Sequence, residues 1–356
     1  MSVVRRALPV LLALAACSDR PSLPAPIVVE RSLFFAQPEI VDDHQLTGLG
    51  TLLGRVASDG HGGEMLAAWL HRFATTAHSE RAGPAQLADD LEATLGPPAS
   101  WDMTRLPFRT TGVHNRIDLA EAGHCGELRV SFASVHAQWQ PLHLIFLFRQ
   151  PADPDGGCAA TARAWAELSA LTGDAWTEAA RARLVAGLTG ARFLMAESVE
   201  LTVSPWEWRQ WVPVGGDAFD NPPLFQQPDP IGLNEPGPLR DDFLAWVDGN
   251  RAAISARAVV VPERFRRPSV RVVQGVPRVP IDLGDRPLAL RQELELMGCA
   301  GCHTADAEFV QTRPDRTTSP FYTKELAARA LYLEDLATGG AISFRFGPLQ
   351  ADPVPP

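Results

Sequence analysis

The first seventeen residues decide where this chain matures, and so what its remaining cysteines can do. Arg5 and Arg6 precede an apolar run from Ala7 to Ala16, which ends at Cys17. A basic start, a short apolar stretch and small residues before a break have the order of a secretory leader. About ten apolar residues are half of what a bilayer-spanning helix needs. The run therefore predicts export and cleavage rather than a permanent span. Arg5-Arg6 lacks the rest of a twin-arginine signal, which points to the general secretory route. An exported chain meets an oxidising compartment, where free thiols are uncommon.

The residues Leu14-Ala15-Ala16-Cys17 resemble the lipobox of bacterial lipoproteins. The resemblance implies cleavage before Cys17, a diacyl group on its sulfur, and a further acyl chain such as palmitate on its new amino group. A single acyl chain anchors only marginally, so three would hold the protein at a membrane. Ser18 resembles the signal for outer-membrane sorting, so the expected location is the cell envelope, lipid-anchored, at the outer membrane. The alternative is an ordinary cleaved leader followed by a coincidental cysteine.

Five cysteines are present. With Cys17 taken by lipid, the others fall into two pairs, Cys125 with Cys158 and Cys299 with Cys302. Cysteine arithmetic in an oxidising compartment predicts a Cys125–Cys158 disulfide, worth about 3 kcal/mol in the chain-entropy account of a loop of roughly 33 residues. Two buried free thiols are the alternative. The formal charge is −10, and it becomes more negative once Arg5 and Arg6 leave with the leader. An acidic chain with one lysine, Lys324, and no basic cluster excludes nucleic acid as the expected partner.

Periodicity predicts an α+β protein: antiparallel sheet with packed helices, followed by a small helical C-terminal segment. Met65, Trp69 and Phe73 recur every four residues in a helix over 61–78, and a second helix is expected over 86–95. Leu106 to Thr111 reads as a strand that runs into a polar stretch, His114-Asn115-Arg116-Ile117-Asp118. Glu127 to Val135 and Leu142 to Phe148 read as a hairpin joined through 136–140. Helices are expected from Cys158 to Leu188, strands over 199–203 and 206–214, and a helix over 239–257. Four prolines between Val259 and Leu283 suit a linker or an edge strand. A helix starting at Asp285 and Pro287 leads into Gly298-Cys299, and a last helix over 323–336 stops at Gly339-Gly340. The chain divides into a leader (1–16), a lipidated tether (17–40), an α+β body (41–282) and a terminal segment (283–356).

The chemistry-bearing string is Cys299-Ala300-Gly301-Cys302-His303. CxxCH is a covalent haem-attachment signature, because two thiols three apart can add across the two vinyl groups of one haem. The histidine that follows then points its imidazole at the iron. Cys299, Cys302 and His303 are thus the expected cofactor-binding residues for one covalent haem c, with His303 on the metal. The string and the helix before it resemble the attachment site of c-type cytochromes. That family usually supplies a methionine from a later loop, yet no Met follows Met297 and no His follows His303. A sixth ligand must come from upstream, from Met195 or one of several histidines, or the iron is five-coordinate. His71 and His78, two helical turns apart, can share a face.

The rival reading is a Cys299–Cys302 disulfide in a non-haem binding or structural lipoprotein. Zinc is a poorer fit, because it wants four ligands and there is no second Cys pair nearby. Two other groupings carry less. His114, Arg116 and Asp118, with Glu127 and Arg129, form a polar site or simply an ion pair at a turn. Trp206 and Trp208 share a strand face and flank a ligand or pack a core, with Trp211 close by. No serine-hydrolase, phosphate-loop or dinucleotide string is present, and no catalytic residue is assigned.

Val113-His-Asn-Arg-Ile-Asp-Leu119, Cys125-Gly-Glu-Leu-Arg129 and Trp206-Glu-Trp-Arg-Gln-Trp211 resemble an uncharacterised family of exported bacterial lipoproteins whose members end in a CxxCH segment. That resemblance implies one continuous architecture and the Cys125–Cys158 pairing, and it brings no known activity. The expected function is a cell-envelope lipoprotein carrying one c-type haem in electron transfer or redox sensing, with the membrane and a redox protein as partners.

Overall fold

The structure is a computed structural model. It describes residues 22–57, 60–76, 83–121, 124–135, 142–201, 206–215, 218–224, 226–256, 258–273, 276–277, 281–298, 312–313 and 315–340. Cys17, Ser18, His78, the connector 136–140 and the string Cys299, Cys302 and His303 lie outside the described residues.

Alternating apolar residues build an antiparallel sheet: β1 Phe34–Phe35, β2 Phe108–Glu121, β3 His124–Ser134, β4 Leu142–Pro151, β5 Phe193–Glu200, β6 Trp206–Val214, β7 Ala218–Asp220, β8 Ser269–Val273 and β9 Val276–Pro277. Among the described residues the strands run in the order β1-β2-β3-β4-β5-β6-β8-β9, with β7 paired beside β6. Neighbours in sequence are mostly neighbours in space, the expected result of short antiparallel connections. The helices are α1 Val29–Ser32, α2 Pro38–Val41, α3 His44–Thr47, α4 Leu49–Val56, α5 Gly62–Thr75, α6 Gly83–Leu95, α7 Gly157–Ala166, α8 Gly173–Gly187, α9 Pro238–Gly249, α10 Arg251–Ser255, α11 Leu288–Met297 and α12 Pro320–Ala337. The architecture is α+β, with a helical C-terminal segment.

One face of the sheet is apolar. Val130, Phe132, Leu144, Phe146 and Phe148 point there and are completely buried. Against them α5 sets Trp69 and Phe73: Trp69 lies 4.7 Å from Phe219 and 5.9 Å from Phe146, and Phe73 lies 4.7 Å from Trp211, ring centre to ring centre. Tilted and edge-on pairs at this separation add to the area they bury. A buried polar chain ties the same layer together. Trp165 donates to Gln150 Oε1 at 2.7 Å, Gln150 donates to Asn115 Oδ1 at 2.7 Å, and Asn115 donates to the Ser32 carbonyl at 3.0 Å. Each partner satisfies a group that would cost free energy if buried alone.

Cys125 of β3 and Cys158 of α7 form a disulfide with Cα atoms 5.1 Å apart, as the cysteine count predicts. It clips the helix layer to the sheet.

Several boundaries differ from the sequence reading. The polar stretch His114–Asp118 lies inside β2, because the opposite face of that strand is apolar and supplies the pairing. Part of the stretch 17–40, read as a tether, packs on the body: Leu33 and Phe35 are fully buried, and β1 pairs Phe34 with His114. Two aromatic residues in a row override the proline-rich composition before them. The terminal segment is no separate appendage either. Tyr322, Leu326, Tyr332, Leu333 and Leu336 of α12 join the main core. Gly339 takes φ +74°, the left-handed geometry that ends this helix. A second, smaller core gathers Phe243, Val247, Phe265, Leu290, Leu294 and Met297 from α9, α11 and the chain between them. Among the described residues no helix is long and apolar enough to cross a membrane.

Candidate functional site

Register sets the chemistry of the second face. His114 stands opposite Arg129, Arg116 opposite Glu127, Arg129 opposite Leu147, and Ile145 opposite Glu197. Side chains alternate across a strand, so His114, Arg116, Glu127, Arg129 and Glu197 share one face. A bulge places them there. Gly126 has φ +77°, and a β-carbon on it would lie 2.0 Å from the Arg116 carbonyl oxygen, so only glycine fits.

Arg129 sits at the centre. Its Nε donates to Glu127 Oε2 at 2.8 Å, and its guanidinium lies 3.8 Å from Glu197. Burial pushes the Arg129 pKa down, but Glu127 and Glu197 outweigh it and raise it. Glu197 is itself raised, by burial first, with Arg129 and a hydrogen bond from Trp208 working against that. A second ionic group lies beside the first. Arg116 donates to both oxygens of Asp118, at 2.9 to 3.2 Å, and Arg329 of α12 lies 3.7 Å from Asp118 while it also donates to Glu325. Burial alone would raise the Asp118 pKa; Arg116 and Arg329 reverse that and hold it low.

His114 joins the two groups to α12. Its Nδ1 is hydrogen-bonded to the Tyr322 hydroxyl, and its Nε2 lies 3.1 Å from Ser131 Oγ. Burial, then Arg329, Arg129 and Arg116, push its pKa well down, so the ring is neutral. One of its nitrogens donates and the other accepts, and the two hydroxyls take the complementary roles. Burial likewise pushes the Tyr322 hydroxyl up and keeps it protonated.

This arrangement pairs its charges and fills both nitrogens of its histidine. It therefore suits an internal lock that fixes α12 to the sheet better than a site that receives a substrate. Removing one partner from such a pair is costly, and the pair itself specifies a single arrangement more than it stabilises one. The structure thus brings together all five residues of the polar site read from sequence, and adds Glu197, Tyr322, Glu325 and Arg329. The last three were legible only as a Tyr, Glu and Arg on one face of a helix that is otherwise apolar there. Glu197 carried no signal: the strand expected over 199–203 in fact runs from Phe193 to Glu200 and takes it in.

Farther along the same face the character changes. A row runs across five strands through Arg109, Ala133, His143, Val199 and Trp208. His143 is 4% exposed. Burial alone lowers its pKa to about 4. Trp206 and Trp208, half-buried, pack with Val199, Leu224 and Val270. Trp211 points to the opposite face and is fully buried in the aromatic core.

Two anchors bracket this row. On the β6–β8 side, Gly298 abuts Gln227, whose Oε1 would lie 2.4 Å from a β-carbon at that position. The Gln227 amide faces the Leu224 carbonyl at 3.5 Å, and Leu224 packs on Val199 and Trp208. Next to it Gln226, at φ +58°, clamps the backbone of Val259 and Val261 with its side-chain amide. On the β2 side, Arg316 donates to the Thr110 carbonyl at 3.3 Å and pairs with Asp42.

The remaining sequence candidates fall elsewhere. His71 lies 3.3 Å from Glu92 and 3.9 Å from Asp89, away from the sheet face. Met195 is half-buried on β5, opposite Leu147. Met297 is 1% exposed in the smaller core. Among the described residues no group of three or more His, Cys, Asp or Glu side chains is placed to hold a metal ion. Compared with known protein families, with curated proteins and with solved structures, the chain matches none.

Proposed function

We propose that this chain is a lipid-anchored protein of the cell envelope that carries one covalently attached c-type haem and serves in electron transfer or redox sensing. The observation that carries the reading is the string Cys299-Ala300-Gly301-Cys302-His303 directly after α11. Met297 is packed and Gly298 is held against Gln227, so the string starts from a fixed point. The donor set suits the group: two thiols at the spacing of the two vinyl groups and an adjacent imidazole. The closed Cys125–Cys158 disulfide supports maturation in an oxidising compartment, where such attachment takes place. The family likeness read from the sequence stands on its own strings.

Bound there, the haem iron would take up and release one electron at a potential set by its axial ligands and its burial. Cys299 and Cys302 would hold the group covalently, and His303 would ligate its iron. Cys17 supplies the anchor, and a redox protein is the partner that exchanges the electron.

The test is a pyridine haemochrome spectrum of protein produced in a host with the c-type attachment machinery. A c-type spectrum in the wild type, lost in Cys299→Ser/Cys302→Ser, supports the reading. A colourless wild type whose two terminal cysteines are bonded to each other would overturn it in favour of a non-haem binding lipoprotein.

A further inference from the structure

We infer that His114 is an acid-sensitive latch for α12: a proton on its ring releases that helix from the sheet while the strands stay paired. The latch does not depend on a haem. Three elements build it. His114 of β2 is bonded through Nδ1 to the Tyr322 hydroxyl of α12, and its Nε2 lies 3.1 Å from Ser131 Oγ of β3. Phe34 of β1 packs on the ring at 5.1 Å and Tyr322 meets it edge-on at 5.3 Å, centre to centre. A neutral imidazole offers one donor and one acceptor, which two hydroxyls can match. A protonated imidazole offers two donors, so both hydroxyls must accept and turn their own protons elsewhere. At 6% exposure the ring cannot draw on solvent to hold that charge.

The surrounding charges also oppose the proton. Arg116 and Asp118 come from β2, Glu127 and Arg129 from β3, Glu197 from β5, and Glu325 and Arg329 from α12. Each carboxylate is already committed to a guanidinium: Asp118 to Arg116 and Arg329, Glu325 to Arg329, and Glu127 and Glu197 to Arg129. Burial, then Arg329, Arg129 and Arg116, keep the closed ring neutral well below the ordinary histidine range. Once α12 lifts, the ring meets water and takes a proton near the ordinary value of about 6.5. The opening equilibrium therefore grows up to about tenfold per pH unit below that value. Asp118 is held low and stays charged through this range, and burial keeps the Tyr322 hydroxyl protonated. Glu197, raised by burial, faces Arg129 and Glu127, so its titration bears on the sheet rather than on α12. α12 meets the sheet at Tyr322–His114 and Arg329–Asp118, both on β2, and contributes no strand. It can leave as a local unit without breaking a strand pair.

The test is native-state hydrogen exchange on the full-length protein between about pH 7.5 and pH 5, with intrinsic exchange rates divided out. Mass spectrometry follows peptides from α12 (320–337) and from β4 (142–151). The α12 peptide should show an opening of its own, at lower free energy than that of β4, growing about thirtyfold from pH 6.5 to pH 5. His114→Gln keeps a donor and an acceptor for the two hydroxyls but cannot titrate, and its α12 peptide should lose that growth. Exchange of α12 and β4 through one shared opening at every pH would overturn the inference. So would an α12 opening indifferent to pH, or a His114→Gln variant with the wild-type growth. The first two results are read on the wild type alone, so they decide the matter even where the variant fails to fold.

Discussion

The hydroxyl of Tyr322 on α12 bonds Nδ1 of His114 on β2, across 208 residues of chain. Ser131 holds the other ring nitrogen, so the neutral imidazole is fully engaged where three arginines surround it. Tyr322→Phe strips that bond and leaves a buried nitrogen without a partner. It should destabilise the protein by about 1–3 kcal/mol, read as a lower urea midpoint with an unchanged slope. A midpoint equal to the wild type would show that the contact contributes nothing.

Arg329 stands between Asp118 and Glu325, and all three side chains are 0–1% exposed. Arg329→Met removes the cation both carboxylates share. It should cost about 3–5 kcal/mol, the usual penalty for leaving buried charge unpaired. Adding Glu325→Gln to that variant takes away one of the stranded charges and should recover part of the loss. Failure of the second change to recover any stability would argue against electrostatics as the cause.

Acid should weaken the fold before its carboxylates titrate. The His143 pKa falls from 6.5 to about 4 through burial, so the folded state disfavours the proton that the unfolded chain accepts. Stability from this group is complete above pH 6.5 and is lost as pH falls from 6.5 to about 4, a loss of about 3 kcal/mol. His114, lowered in the same direction, adds to the slope, and Glu197, raised by burial, opposes it. His143→Gln should flatten the pH dependence of the unfolding midpoint across this window. An equally steep profile in the variant would assign the acid sensitivity elsewhere.

The bulge at Cys125-Gly126 joins two constraints. Its disulfide closes a loop of 33 residues, and breaking it with Cys158→Ser should cost about 3 kcal/mol. Gly126→Ala should also destabilise, by more than 1 kcal/mol, because a left-handed φ and a contact with the Arg116 carbonyl both reject a β-carbon. The two variants separate in reductant: the glycine change should still lower the midpoint there, and the cysteine change should add nothing. Equal behaviour in reductant would contradict that division.

Much of this was legible in the sequence, and what was not follows from physics. Helices such as α5 and α8 announced themselves through Met65, Trp69 and Phe73, and through Trp176, Ala180 and Leu184, because one face of each is apolar at helical spacing. The disulfide followed from the expected compartment and the cysteine count. The polar run His114–Asp118 read as a turn, although the alternating Val113, Asn115 and Ile117 belong to the other face of one long strand. What hid the strand was a sheet whose second face buries charge, a pattern that alternation scores as exposure. The ion pairs were half visible. His114, Arg116, Asp118, Glu127 and Arg129 sit close in sequence, whereas Glu197, Tyr322, Glu325 and Arg329 arrive from strands and helices far along the chain. His143 showed nothing at all, since a histidine within Leu142–Phe148 looks like any other core position until its burial is seen.

The membrane claim has its own check. Cys17→Ser should move the protein from the membrane fraction to the soluble periplasmic fraction, and a variant that stays with membranes would count against lipidation at Cys17.

The central claim is that two sulfurs near the carboxyl end hold a porphyrin, and intact mass spectrometry under denaturing conditions addresses it most directly. Protein matured with the attachment machinery should retain one added haem after denaturation, and a peptide spanning Cys299 to His303 should carry that mass. The same peptide found with no haem and its cysteines joined to each other would contradict the account.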